Sequence, residues 1–171
     1  MPTLIALLRA VNVGGTGILP MAELRAMAEA EGFGKVRTYI QSGNLVFETD
    51  RGPDDVEAAL EARLRVYAGR SVGVVMRTAE EMSTILDANP FREAEPSKVG
   101  VLFLDAAPPS DTHDAAKGWV DEEIALGARE VFVLYPSGMG RTKLRFPAMA
   151  DGTVRNVNTV AKLADMAGGS G

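Results

Sequence analysis

The sequence predicts an α+β protein made of two linked ferredoxin-like (split βαβ, α/β plait) subdomains, of which the second is irregular. Short apolar runs alternate with segments of helical periodicity as strand, helix, strand, strand, helix, strand over residues 1–77, which is the split βαβ order. A similar but incomplete series follows over residues 78–167. With 171 residues, 46% of them hydrophobic, the chain can bury a core without disulfide or metal staples.

The first subdomain carries a turn or capping signal at each predicted boundary. Pro20 suits the first turn of a helix, Gly32 and Gly69 suit helix ends, and Ser42-Gly43 suits a two-residue hairpin turn. The predicted elements are a strand at 3–11, a helix at 20–32, strands at 35–41 and 45–49, a helix at 54–69 and a strand at 72–76.

The second subdomain begins with the pattern of a capping box, Thr78 and Glu81, and Asn89-Pro90 ends the helix that this box starts. The elements predicted after it are a strand at 99–104, a helix at 111–126, strands at 131–135 and 143–146, and a helix at 156–166. Because this series lacks a clear fourth strand, the second plait is predicted to be incomplete. The chain end, Gly168–Gly171, is predicted to be a flexible tail.

Three of the predicted strands, Leu4–Leu8, Val99–Leu104 and Val131–Tyr135, are apolar on both faces. A plait carries helices on one sheet face only, so its strands are expected to alternate between apolar and polar residues. We therefore expect the second face to be covered, either by the other half of the chain or by a partner subunit.

The composition excludes several kinds of chemistry. The chain has no cysteine and one histidine, His113, which excludes disulfides, thiolate metal sites and multi-histidine metal sites. We expect neither a metal site nor a cofactor. The longest N-terminal apolar stretch, Leu4–Leu8, is too short for a signal peptide or a membrane span. A cytoplasmic protein without a membrane partner is therefore expected.

The charge of the chain is unevenly distributed. The net charge is -5, and the acidic excess lies in residues 78–140, whereas residues 141–162 hold five basic residues and one acidic residue. The acidic total argues against nonspecific nucleic-acid binding, which needs clustered lysine and arginine. The basic segment still predicts one local site for an anion.

Three polar or basic clusters lie at predicted element ends, and they supply the candidate ligand-binding residues. They are the end of the first strand with its glycine loop, the hairpin tip, and the start of the last helix. Their members are Arg9, Asn12, Gly14 and Gly15; Gln41, Ser42 and Asn44; and Arg141, Lys143, Arg155 and Asn158. Arginine and lysine would neutralise an anion, while side-chain and loop amides would orient it.

Each cluster also has a purely structural interpretation. Glycines form tight turns, and Ser42-Gly43-Asn44 is typical of a turn. The basic side chains can form salt bridges, and Asn156 or Asn158 can cap the last helix. The glycine loop at 14–17 matches neither a dinucleotide-binding nor a Walker motif. Both interpretations stay open at this point.

Six segments together resemble a known bacterial family. They are Leu7–Gly15 (LLRAVNVGG), Pro20–Arg25 (PMAELR), Val36–Asn44 (VRTYIQSGN), Asn89–Phe91 (NPF), Gly140–Leu144 (GRTKL) and Arg155–Val160 (RNVNTV). This pattern is similar to that of domain of unknown function 1697, and the resemblance covers nearly the whole chain. It implies two linked ferredoxin-like α+β subdomains, and it implies no activity, substrate or catalytic residue.

The chain departs from the family pattern at three places. The glycine loop continues as Thr16-Gly17-Ile18, where relatives usually carry basic or amide residues. The segment after Lys143 is shortened, and Val157 stands where the family usually has tryptophan. If the loop cations bind an anion in relatives, the resemblance implies a weaker site there in this chain.

The leading functional hypothesis is a protein that binds an anionic small molecule, a nucleotide or another phosphate or carboxylate ligand, in a cleft between the subdomains. One alternative is a small-molecule enzyme that uses the same cleft with Lys143 or Ser42 as nucleophile, although no partnered base is visible. The others are an RNA-binding module, which needs exposed aromatic side chains, and a regulatory homodimer formed through an uncovered sheet face. Catalytic residues stay unassigned.

Overall fold

The computed structural model describes residues 1–9, 19–40 and 42–168 of the chain. These residues form two compact units, one comprising Met1–Met82 and the chain from Leu163 onward, the other comprising Ser83–Lys162. Four predicted site residues, Asn12, Gly14, Gly15 and Gln41, lie outside the described residues, as does the predicted tail after Gly168.

Helices and strands alternate in both units, and each unit holds a four-stranded antiparallel sheet, which confirms the α+β fold class. The elements in the first half of the chain are β1 (Thr3–Leu8), α1 (Met21–Ala30), β2 (Gly34–Thr38), β3 (Asn44–Glu48), α2 (Pro53–Ala68), β4 (Val74–Thr78) and α3 (Ala79–Ala88). Those in the second half are β5 (Val99–Phe103), α4 (Thr112–Ala115), β6 (Glu123–Leu126), β7 (Glu130–Leu134), β8 (Thr153–Asn156) and α5 (Val157–Gly168).

The sheet of the first unit has the strand order β2-β3-β1-β4. Alternate residues of β1, among them Leu4 and Leu8, join a core with Leu24 of α1 and Leu60 of α2, because successive strand residues point to opposite faces. Every residue from Leu4 to Leu8 is buried, so both faces of this strand are covered, as its apolar run predicts.

The local signals of the first unit act largely as predicted. Gly69 ends α2 in the left-handed conformation with φ of 71°. The capping box before α3 is confirmed, because the N–H of Thr78 donates to Glu81 Oε1 at 2.9 Å and the N–H of Glu81 donates to Thr78 Oγ1 at 3.0 Å. Both bonds satisfy amides that the first helical turn leaves without partners.

The predicted two-residue hairpin at Ser42-Gly43 is wrong. Strand β2 ends at Thr38 and β3 begins at Asn44, so the connection is longer. Its backbone also bonds outside the hairpin, since the N–H of Leu8 donates to the Gly43 carbonyl at 2.9 Å. This bond continues the β1–β3 pairing one residue beyond Leu7 and Asn44.

The sheet of the second unit has the strand order β6-β7-β5-β8 and is complete, which corrects the predicted absence of a fourth strand. The predicted helix at 111–126 is also wrong. Helix α4 ends at Ala115, Gly118 has φ of 83°, and the residues from Glu123 onward pair with β7. Pairing between neighbouring strands outweighs the weak helical pattern there. The predicted strand at 143–146 forms one isolated bridge, between Lys117 and Arg145.

The two sheets share one topology, because each places its second, third, first and fourth strands side by side in that order. In the first unit, the 16-residue helix α2 connects the third strand to the fourth. In the second unit, the equivalent connection runs from β7 to β8 with two short 3₁₀ turns, Met139–Arg141 and Pro147–Asp151, and an extended segment between them. This non-helical connection positions the candidate site.

Helix length also bears on membrane insertion. No helix among the residues that the structure describes is both long enough and apolar enough to cross a bilayer.

Candidate functional site

In the second unit, an extended segment rich in basic residues pairs with Lys117, a basic residue from a distant part of the chain. The N–H of Lys117 donates to the Arg145 carbonyl at 2.8 Å, and the N–H of Arg145 donates to the Lys117 carbonyl at 2.8 Å. Arg141 and Lys143 precede Arg145 on the same segment. We call these four residues, Lys117, Arg141, Lys143 and Arg145, the basic ribbon.

The segment from Arg141 to Phe146 alternates between exposed and covered side chains. Arg141, Lys143 and Arg145 are exposed, whereas Leu144 and Phe146 are buried in the core of the second unit. Side chains of an extended chain alternate between two sides, so Lys143 and Arg145 share the solvent side, and Arg141 is exposed at the end of the 3₁₀ turn before them. The buried pair holds the segment in place.

Lys117 presents a fourth cation on the same side of the ribbon. Residues directly opposite each other in an antiparallel pair project their side chains to one face, with Cβ atoms about 5 Å apart. Lys117 and Arg145 are such a pair, and both are exposed. Two like charges placed directly opposite destabilise a strand pair. The fold therefore places two like charges opposite each other at this point of the ribbon.

The acidic residues next to the ribbon bind hydroxyl groups instead of its cations. Thr142 Oγ1 donates to Glu122 Oε2 at 2.6 Å, and Ser137 Oγ donates to Asp121 Oδ2 at 2.5 Å. Among the described residues, none of the four ribbon cations forms an ion pair with a carboxylate. The Glu122 carboxylate, bonded to Thr142 between Arg141 and Lys143, offsets part of this charge, and the ribbon keeps a positive excess.

Glu122 anchors the ribbon through its ionised carboxylate. The Thr142 hydroxyl, followed by the N–H of Val120 at 2.8 Å, holds the pKa of Glu122 below its usual value. Hydrogen bonds to the charged form favour ionisation, and they outweigh the small opposing effect of burial. The carboxylate is thus ionised at neutral pH and keeps Thr142 on the covered side of the segment.

Glu122→Gln is expected to make the stability of the protein less sensitive to acid. Because the pKa of Glu122 is lower in the folded state than in the unfolded chain, its contribution is complete above the unfolded pKa and is lost as pH falls through the folded pKa. Urea unfolding at pH 6 and at pH 3.5 measures this difference. The matched control is Glu123→Gln, which changes an exposed neighbour. An equal acid-induced loss in Glu122→Gln and the unaltered protein would contradict the expectation.

The structure brings two predicted site residues, Arg141 and Lys143, together with two that the sequence reasoning left out. Arg145 could have been found from the alternation of Lys143 and Arg145 with Leu144 and Phe146, which places both cations on one side of an extended chain. No sequence pattern around Lys117 marks it as a site residue, because only its bridge to Arg145 brings it to the ribbon.

Arg155 and Asn158 do not join the ribbon. Val154 packs against the same core as Leu144 and Phe146, so Arg155, the next residue of β8, projects to the other sheet face. Its Nη1 donates to Thr153 Oγ1 at 2.7 Å and to the Val154 carbonyl at 3.0 Å, and burial lowers the pKa of Arg155 to about 10. Asn158 is exposed on the first turn of α5.

The helix cap at the start of α5 belongs to a different residue from Asn158. Asn156 Oδ1 accepts a hydrogen bond from the N–H of Thr159 at 2.9 Å, which is the usual contact of a helix cap. An asparagine therefore caps α5, as the structural interpretation expects, and that asparagine is Asn156.

The remaining described site residues, Arg9, Ser42 and Asn44, lie at one end of the first sheet. The N–H of Arg9 donates to the Gly73 carbonyl at 2.9 Å. Asn44 is fully buried, and its Nδ2 donates to the Tyr39 carbonyl at 2.8 Å and to Ser42 Oγ at 2.9 Å. Because both amide hydrogens serve the hairpin, Asn44 positions the loop and has no donor left for a ligand.

The chain is similar in structure to SP0830, a conserved bacterial protein from Streptococcus pneumoniae whose structure has been solved. The TM-score is 0.77 at 23% sequence identity, and the match covers 97% of this chain and 98% of the other. At this identity the likeness shows the fold.

No curated protein matches the sequence. A family model described as a protein of unknown function (DUF1697) matches residues 1–132, most of the chain, and the protein therefore belongs to the DUF1697 family.

Proposed function

We propose that the protein binds an anionic small molecule at the basic ribbon of its second unit. The observation that carries this proposal is the pair of opposed cations, Lys117 and Arg145, with Lys143 along the same side and Arg141 exposed at the end of the turn before it. A protein with a net charge of -5 has carboxylates enough to neutralise four cations, yet the neighbouring carboxylates bind Thr142 and Ser137. A bound anion would offset the repulsion within the ribbon.

The side chains of the ribbon suit phosphate and carboxylate chemistry. The planar guanidinium of arginine binds such groups through two parallel N–H bonds, and the lysine ammonium binds them as a point charge. Arg145 Nη1 donates to the Leu144 carbonyl at 2.7 Å, which fixes one edge of the guanidinium and leaves its other donors for a ligand. Arg145 thus combines a fixed position with open donors.

The backbone of the ribbon supports the same function. The first unit connects the equivalent strands through helix α2, whereas the second unit uses the ribbon segment, held by Leu144, Phe146 and the Thr142–Glu122 bond. Binding residues are common on irregular segments that a rigid scaffold holds in place. An ordered segment also loses less conformational entropy when it binds.

Calorimetric titration with orthophosphate, pyrophosphate and citrate at low salt tests the proposal. We expect at least one of these anions to bind, and Arg145→Gln to weaken that binding about fivefold, which corresponds to roughly 1 kcal/mol for a lost charge-assisted contact. The matched control is Arg92→Gln, an exposed arginine of the second unit outside the ribbon, which is expected to leave the affinity unchanged. Absence of binding by all three anions, or an equal loss in Arg92→Gln, would overturn the proposal.

A further inference from the structure

We infer that the ligand of the basic ribbon carries a chain of linked phosphate groups, as a nucleoside diphosphate or triphosphate does, instead of a single phosphate or carboxylate. This inference rests on the proposed function and specifies the chemical class of the ligand. It follows from the number of ribbon cations, their spacing and the side chains around them.

The number of charges favours more than one phosphate group. The ribbon holds four cations without carboxylate partners among the described residues: Lys117, Arg141, Lys143 and Arg145. A single phosphate group carries about two negative charges at neutral pH, so it would leave about half of the ribbon charge uncompensated. A chain of two or three phosphates has the charge to neutralise the whole set.

The spacing of the cations leads to the same class of ligand. Alternate residues of an extended chain are about 7 Å apart, so Lys143 and Arg145 form a row along the ribbon, and Arg141 ends the 3₁₀ turn that leads into this row. Lys117 lies opposite one end of this row, beside Arg145. Mutual repulsion keeps the four charged groups separated. A linear chain of phosphates can contact successive cations along the row, whereas one compact anion can contact only one end.

The surroundings of the ribbon favour a free polyphosphate over a nucleic-acid strand. Proteins that bind single strands usually add exposed aromatic side chains on which the bases stack. Trp119 is the aromatic residue nearest to Lys117 in sequence, and it packs against the core of the second unit while its Nε1 donates to the Ala116 carbonyl at 3.1 Å. The binding energy is therefore expected to come from the phosphates and not from a base.

Titration of the full-length protein with orthophosphate, pyrophosphate and inorganic tripolyphosphate at one fixed salt concentration tests the inference. We expect the affinity to rise at each step and by at least tenfold from orthophosphate to tripolyphosphate. Arg141→Gln, at the end of the turn that leads into the row, is expected to reduce this ratio at least threefold. Arg92→Gln serves as the control and is expected to preserve the ratio.

The possible failures of this experiment are distinguishable. If none of the three anions binds and citrate does not bind either, the proposed function itself falls; if citrate alone binds, the inference falls while the proposed function stands. If orthophosphate binds as tightly as tripolyphosphate, or if Arg141→Gln leaves the ratio unchanged, the inference falls while the proposed function stands. A single-stranded oligothymidylate that binds more tightly than tripolyphosphate at the same salt would also overturn the inference, in favour of a nucleic-acid ligand.

Discussion

Gly118→Ala is expected to lower the free energy of unfolding of the second unit by about 3 kcal/mol and to abolish anion binding. Gly118 has φ of 83°, a conformation that costs an alanine about 1 kcal/mol. Its new Cβ would also collide with the carbonyl oxygen of Lys143 and lie 2.7 Å from the carbonyl carbon. Relief of this collision requires the ribbon to move away, which breaks the two Lys117–Arg145 backbone bonds, worth about 1 kcal/mol each.

Gly138→Ala is the matched control for this effect. Gly138 also lies in the second unit with φ of 95°, but a Cβ there meets no atom of the described residues within 4 Å. We therefore expect only the conformational cost, about 1–3 kcal/mol because ψ of 150° places Gly138 in a region that almost only glycine adopts, with anion binding retained. Trp119 is the single tryptophan of the chain, so its fluorescence during urea unfolding reports on the second unit. Anion binding retained in both variants would show that contact with the ribbon contributes nothing at Gly118.

Simultaneous replacement of Lys117 and Arg145 by glutamine is expected to weaken anion binding about thirtyfold, or roughly 2 kcal/mol, because two charge-assisted contacts are lost at an exposed site. The same change removes a repulsion between two cations that lie directly opposite each other. The stability of the free protein is therefore expected to rise by a few tenths of a kcal/mol. A gain in stability together with a loss of affinity is typical of residues retained for binding.

Much of the first unit could be predicted from the sequence, because its signals are local. The capping box at Thr78 and Glu81 and the left-handed glycine after α2 both depend on residues close together in the chain. The apolar run from Leu4 to Leu8 likewise predicts a strand buried on both faces without knowledge of its partners. The hairpin between β2 and β3 departs from the prediction, because its connection is longer than the two residues predicted.

The second unit was harder to predict, because distant pairing decides its structure. Residues from Glu123 to Leu126 have no strong helical or strand pattern of their own, and their place beside β7 determines their conformation. The basic ribbon has the same origin. Arg141 and Lys143 could be selected as cations near the last helix, but Lys117 becomes a neighbour only through its bridge to Arg145.

Arg155 was predicted to share a site with Arg141 and Lys143 because these residues are close in sequence, and this prediction is wrong. It belongs to the same basic segment as Arg141 and Lys143, yet strand β8 directs its side chain to the sheet face away from the core around Leu144. Strand alternation decides this placement. Such alternation could be read from the sequence only if the four residues of β8 had been assigned to a strand.

The most direct test of the central claim, that the opposed cations exist to bind an anion, measures stability and affinity together. Urea unfolding at low salt without ligand, followed by pyrophosphate titration, is carried out on the unaltered protein and on Lys117→Gln, Arg145→Gln and the double variant. We predict that affinity falls with each replacement while the urea midpoint of the free protein holds or rises. Unchanged affinity, or a fall in the midpoint, would contradict it, since the two cations would then serve the fold and not a ligand.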